Sequence, residues 1–302
     1  MIVVETALNS IVAIRASVPE DGFTAQTLGT LREGSGVVIN DEGLVLTIGY
    51  LITEAEEVWL TRKDGQVVAG HALAYDQQTG FGLVQSLGPL DLPAVKFASS
   101  AHARVGDPVT LADGTGTSVD ATIVAKQEFA GYWEYLLDEA IFIAPAHPSW
   151  GGAPLFDDEG KLLGIGSLRL QMMQGEETAD INLVVPVDLL KPIINELTTR
   201  GRIKQGNNPW IGAFCAEDNN RVVVMNVSPN GPADKAGLQP GDIIADVRDI
   251  EVHGLADFYR TLWATGPAGT EFPLRIIREG RDGWVRVKTA DRADFLKKPQ
   301  LQ

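Results

Sequence analysis

The stretch Gly36-Val37-Val38-Ile39-Asn40-Asp41-Glu42-Gly43-Leu44-Val45-Leu46-Thr47 decides how the first 200 residues are read. An apolar run, a polar turn ending in glycine and a second apolar run form the pattern of a β-hairpin. The same pattern returns in Val58–Ala69, with Asp64-Gly65 at the turn, and in Ala153–Ile165, with Asp157, Asp158, Glu159 and Gly160 between the runs. Residues 1–200 therefore read as β. The third hairpin echoes the first, including Asp-Glu-Gly at its turn. A duplicated six-strand barrel would produce such an echo, and so would coincidence between two short runs.

Val187–Arg200 spaces its apolar residues like a helix, with Asp188 as an N-cap and Gly201 as a stop. Gly206–Pro209 reads as a linker. Residues 210–292 then change character. Strand-like runs at Trp210–Phe214 and Val222–Val227 precede a Pro/Gly-rich segment. Leu255–Trp263 is patterned as an amphipathic helix. Phe272–Arg278 and Trp284–Lys288 read as a closing hairpin around Glu279–Gly283. The result is a small α+β unit of ordinary domain size.

Composition narrows the function classes. The net charge is −15, carried almost wholly by residues 1–206, where 13 Lys and Arg face 27 Asp and Glu. An acidic surface disfavours nucleic acid, whose phosphates demand clustered basic residues, and anionic membranes. The single cysteine, Cys215, excludes an internal disulfide and a cysteine-based zinc site. The four histidines, His71, His102, His147 and His253, lack metal-ligand spacing, so neither metal nor cofactor is expected. No run approaches the roughly 20 apolar residues of a membrane span. The N-terminus, with Glu5 interrupting its apolar run, does not read as a signal peptide. The chain as written reads as cytoplasmic, with the periplasm as the alternative if a leader precedes it.

Two stretches carry a resemblance to a known family. Ser228-Pro229-Asn230-Gly231-Pro232-Ala233-Asp234-Lys235-Ala236-Gly237-Leu238-Gln239-Pro240-Gly241-Asp242-Ile243-Ile244 resembles the PDZ signature, in which a short helix ends at Ala-Gly-Leu and a Gly-Asp turn opens a strand. Glu33–Thr47 resembles the first-barrel signature of the HtrA (Deg) family of trypsin-like serine proteases. Asp188-Leu189-Leu190, Gly201 and Pro209–Gly212 resemble that family's segment joining protease to PDZ domain. The resemblance implies a mainly β chain: a trypsin-like double six-stranded β-barrel over residues 1–206, splitting near 100. An α+β PDZ domain over 207–292 and a tail over 293–302 would follow.

The same resemblance places the catalytic triad on unsuitable residues. The family's Leu-Thr-x-x-His pattern reads Leu46-Thr47-Ile48-Gly49-Tyr50 here, and a phenol with an ordinary pKa of about 10 is a poor base at neutral pH. The family's Asp-x-x-Thr-Asp reads Asp76-Gln77-Gln78-Thr79-Gly80, so the orienting acid is absent and Asp76 matches a different position. The family's Asn-Ser-Gly-Gly-Pro reads Trp150-Gly151-Gly152-Ala153-Pro154, with Gly151 in place of the nucleophile. Triad members act as one unit, so a chain lacking all of them is expected to be a pseudoprotease.

Other residues admit plainer readings. His147 and Ser149 lie two apart, and a rescued dyad is conceivable, but no acid is placed to orient the histidine. Trp150 either fills space left by Gly151 and Gly80 or contributes to a binding cleft. Cys215 reads as a small buried apolar residue.

Trp210, Ile211, Gly212 and Ala213 align with the carboxylate-binding loop of PDZ domains, where backbone amides hold a ligand's chain end. Phe214 continues the strand beside which a peptide would lie. Phe258 and Leu262 would line the pocket for its last side chain. An internally occupied groove is the alternative. The expected partners are protein or peptide C-termini, with a homo-trimer or assembly with active family members. A serine endopeptidase with relocated catalytic groups and a chaperone working through the barrel cleft are the competing functions.

Overall fold

The computed structural model describes residues 6–174, 177–203 and 208–297. The chain divides into two compact units. Among the described residues, the first unit holds 6–127, 139–203 and 296–297. The second holds 128–138 and 208–295. The expected boundary between residues 206 and 207 lies outside the described residues.

The first unit contains two closed six-stranded barrels. Barrel one is built from β1 (Ile11–Ser17), β2 (Leu31–Val38), β3 (Leu44–Ile48), β4 (Glu57–Thr61), β5 (Val67–Tyr75) and β6 (Phe81–Ser86), with α1 (Ala25–Leu28) between β1 and β2. Barrel two is built from β7 (Pro108–Ala112), β8 (Ser118–Gly131), β9 (Tyr135–Ala144), β10 (Pro154–Phe156), β11 (Leu162–Gln174) and β12 (Glu177–Pro186). Closure removes exposed strand edges. It turns alternate side chains inward, where Val12, Ile14, Val45, Leu60 and Val84 fill barrel one and Leu111, Ile123, Ile141, Ile143 and Leu155 fill barrel two.

All three expected hairpins form: β2 pairs β3, β4 pairs β5, and β10 pairs β11. The barrels also share one ring order, with the first three strands of each running into its sixth, fifth and fourth. The sequence echo does not map onto that equivalence. Its first copy is the second and third strands of barrel one, while its second is the fourth and fifth strands of barrel two. The similarity reflects two tight hairpins rather than matched positions.

The expected helix over Val187–Arg200 is shorter. A 3-10 turn at Val187–Leu189 is followed by α2 (Ile194–Arg200). Pro192 has no N–H to donate and its ring crowds the preceding turn, so the chain enters the helix only after it. Asp188 caps nothing in α2. Its carboxylate accepts from the Ala101 amide at 2.9 Å and the Ser99 hydroxyl at 3.1 Å.

In the second unit a sheet runs β13 (Ala213–Asp218), β14 (Arg221–Val227), β15 (Ile243–Val247), β17 (Glu271–Arg278) and β18 (Arg281–Lys288), with the short β16 (Ile250–Glu251) beside β15. The helices α3 (Pro232–Lys235) and α4 (Leu255–Trp263) complete it. The first strand starts later than the sequence suggests, because Trp210 makes only an isolated bridge to Ala290. The closing turn is tighter than expected: Glu279 and Gly280 alone carry it, both at positive φ, as two-residue hairpin turns require.

Candidate functional site

Tyr50 is carried by a 3-10 turn, Gly49–Leu51, directly after β3. The turn is anchored from two sides. The Gly49 amide donates to the Gly80 carbonyl at 2.7 Å. Arg32 donates to the carbonyls of Tyr50 and Thr53 at 2.8 and 2.9 Å. Glu54, buried and at φ 63°, accepts from the amides of Phe23, Thr24 and Lys297 and from the Thr24 hydroxyl. Burial pushes the Glu54 carboxyl up, but these donors outweigh it and hold it below the ordinary value.

Gly151 arrives from barrel two and is fixed against barrel one. The Ser35 amide donates to its carbonyl at 2.8 Å, and the Ser35 hydroxyl accepts from the Gly114 amide at 2.9 Å. Tyr50, Gly80 and Gly151 are thus brought together. A Cβ added to Gly151 would lie 2.9 Å from the Tyr50 hydroxyl. That hydroxyl donates to the Ser167 carbonyl at 3.1 Å. Burial pushes the phenol above its ordinary value, against a hydrogen bond with Trp150, so it stays protonated at neutral pH.

His147 and Ser149 do meet, but not as a dyad. The Ser149 amide, not its hydroxyl, donates to His147 Nδ1 at 3.0 Å. With Nδ1 accepting, the ring proton sits on Nε2, which faces the Thr117 carbonyl at 3.3 Å and Asp113 at 4.0 Å. The ring is fully buried. In trypsin-like sites the oxyanion is held by the amides of the nucleophile position and of the residue two before it. The Ser149 amide, two residues before Gly151, is turned inward to His147.

The second cluster lies in the second unit. Gly212 stands at φ 76°, and a Cβ on it would meet the Trp210 ring at 2.8 Å, so only glycine fits this turn. The amides of Ile211, Gly212 and Ala213 converge on the Glu134 carboxylate at 3.1, 2.6 and 3.1 Å. Sequence reasoning missed Glu134. Trp210 packs on Phe295, with ring centroids 4.9 Å apart, and Phe214 lies 6.1 Å from Tyr132. Phe258 and Leu262 are fully buried among Ile211, Val224, Ile244 and Leu274.

The comparisons with known proteins agree with both halves. Residues 34–165 match the trypsin-like peptidase domain family, and residues 209–289 match the PDZ domain family. The chain is an HtrA-type protein. A probable periplasmic serine protease, do/HhoA-like, of Haemophilus influenzae is 29% identical over 274 residues, covering 84% of this chain and 57% of that protein. The serine protease Do-like HtrA of Bacillus subtilis is 24% identical over 290 residues, covering 84% of this chain and 63% of that protein. The chain therefore spans little more than half the length of these relatives. Among solved structures, the HtrA-type protease AlgW with a decapeptide aligns at a TM-score of 0.56 and 19% identity, over 99% of this chain and 98% of that one. The serine endoprotease of Yersinia pestis aligns at 0.55 and 22%, over 96% of each. These likenesses concern the fold.

Within this HtrA-type chain, Cys215 is the buried apolar residue the sequence suggests: burial raises its thiol above the ordinary value. Among the described residues no group of three or more His, Cys, Asp or Glu is placed to hold a metal. No helix among them is long and apolar enough to cross a membrane.

Proposed function

We propose that this HtrA-type protein is a pseudoprotease that binds protein or peptide C-termini through its PDZ domain and acts as a scaffold, regulator or chaperone-like factor. The observation that carries the reading is Gly151: the position that aligns with the family nucleophile has no side chain and faces the Tyr50 hydroxyl. No acyl-enzyme can form without a nucleophilic atom. The protonated Tyr50 and the side-chain-free Gly80 add to the argument. The groove reading is supported by the amides of Ile211, Gly212 and Ala213, which already hold a carboxylate. The family resemblance suggests a homo-trimer or assembly with active members. The compartment is read from the relatives named as periplasmic.

The relatives are named as serine proteases, so an endopeptidase with relocated catalytic groups is the reading to test against. A fluorophosphonate probe and casein cleavage decide it. The purified chain should show neither. Labelling or cleavage that disappears in Ser149→Ala would sink the pseudoprotease reading.

A further inference from the structure

Residues 128–138, the end of β8, its turn and the start of β9, belong to the second compact unit. Their contacts there match what a PDZ groove offers a peptide. A chain-end ligand is held in two ways: its carboxylate sits in a nest of backbone amides, and its backbone extends the sheet beside it. Glu134 supplies the carboxylate, accepting from the amides of Ile211, Gly212 and Ala213. Tyr132, two residues earlier, supplies the backbone contact, its carbonyl accepting from the Cys215 amide on β13 at 2.9 Å.

The segment is built for this seat rather than resting on it by chance. Glu134 is buried and held at φ 57°, a conformation that a non-glycine residue adopts at a cost. The Tyr259 hydroxyl, from α4, accepts from the Glu134 amide at 3.2 Å and donates to the Gly131 carbonyl at 2.8 Å. Arg260, one residue on, pairs with Glu128 and Asp138 at 2.5 and 2.6 Å, one on each side of the turn. Ala130 and Leu136 pack on the domain core. Turn, backbone, carboxylate and both flanks are each engaged.

From this arrangement we infer that Glu134 is the resident ligand of the PDZ carboxylate seat, and that a protein or peptide C-terminus enters only by exchanging for it. The inference rests on reading the groove as a chain-end site and adds that the groove is self-occupied. One seat of three amides cannot serve two carboxylates, so resident and incoming ligand compete. The apparent affinity for a peptide then falls by the fraction of time the seat is free.

The test uses the full chain. Binding is measured for decapeptides with an apolar last residue and a free carboxylate, and for the same peptides amidated. The wild type is compared with Glu134→Ala and with Glu134→Gln, which keeps the side-chain shape. Amide hydrogen exchange at residues 211–213 is followed in parallel.

The expected result is weak binding by the wild type and at least tenfold tighter binding by Glu134→Ala, with the amidated peptides silent. Equal, tight binding by wild type and variants would overturn the proposal. If no free-carboxylate peptide binds any form, the chain-end reading and the exchange both fall. The exchange data then judge self-occupancy alone. Amides protected in the wild type and fast in Glu134→Ala support it, and amides already fast in the wild type overturn it.

Discussion

The Tyr50 hydroxyl lies 2.9 Å from the point that a Cβ on Gly151 would occupy. The two positions are therefore coupled: a side chain at 151 and the present phenol at 50 compete for one space. Gly151→Ser alone should lose roughly 1–3 kcal/mol of stability from overpacking. The double variant with Tyr50→His should recover most of that loss. Thermal unfolding of the two variants checks the coupling, and equal destabilisation in both would count against it.

Restoring the family residues should not restore hydrolysis. Gly80→Asp places a side chain at φ 80°, a strain of about 1 kcal/mol. More decisive is the Ser149 amide, which donates inward to His147 Nδ1 and is lost to a developing oxyanion. Removing one oxyanion donor alone costs about 100-fold or more in kcat. The triple variant Tyr50→His, Gly80→Asp, Gly151→Ser is therefore expected to fold and to leave casein intact. Casein cleavage by that variant would mean that the loop turns its amides outward once the triad is present.

Peptide binding should strengthen as pH rises through neutrality. Burial pushes the seated Glu134 carboxyl up to about 7, against the three amides and Arg292, which pull it down. The neighbouring Tyr259 phenol and Cys215 thiol are themselves raised by burial and stay neutral there. Once released, the carboxyl returns to an ordinary value of about 4.3. The seated form thus binds its proton more tightly than the released form. That advantage is full below the ordinary value and is lost as pH rises through about 7. Between about pH 6 and pH 8 the seating of Glu134 should weaken roughly tenfold, and the apparent affinity for a free-carboxylate peptide should rise by at most that factor, because the incoming carboxyl meets the same burial. Glu134→Gln should flatten the profile.

Phe258 and Leu262 are fully buried in the PDZ core. Phe258→Ala should cost about 3–5 kcal/mol of unfolding free energy through the cavity it leaves, measured by denaturant titration. A variant of unchanged stability that had lost only peptide binding would instead make Phe258 a wall of an open pocket.

Glu54 supports the turn that carries Tyr50. Glu54→Ala leaves the amides of Phe23 and Thr24, the second of them buried, without their acceptor and should cost about 3 kcal/mol. Because its folded carboxyl is held below the ordinary value, its stabilisation is present above that value. It is lost as pH falls through the lowered one. The variant should therefore show a shallower loss of stability in acid than the wild type.

The sequence by itself determined the hairpins, the two domains and the absence of a side chain at Gly80 and Gly151. Each is a local property: alternation and turn residues act over a few positions, and a missing Cβ is missing in any fold. Even there a local reading had limits, since Pro192 broke a helix that the apolar spacing supported. The paired echo of Asp-Glu-Gly turns likewise fell on non-equivalent strands.

Only the tertiary structure decided what fills the two sites. The Tyr50 hydroxyl reaches Ser167 across 117 positions of chain, and Glu134 reaches residues 211–213 across 77 to 79. The seat is made of backbone amides, which nearly every residue carries, so no residue type marks it and nothing in Gly131-Tyr132-Trp133-Glu134-Tyr135 names its target. Folding brings a carboxylate to amides that would otherwise be solvated, and that juxtaposition is what makes Glu134 a ligand.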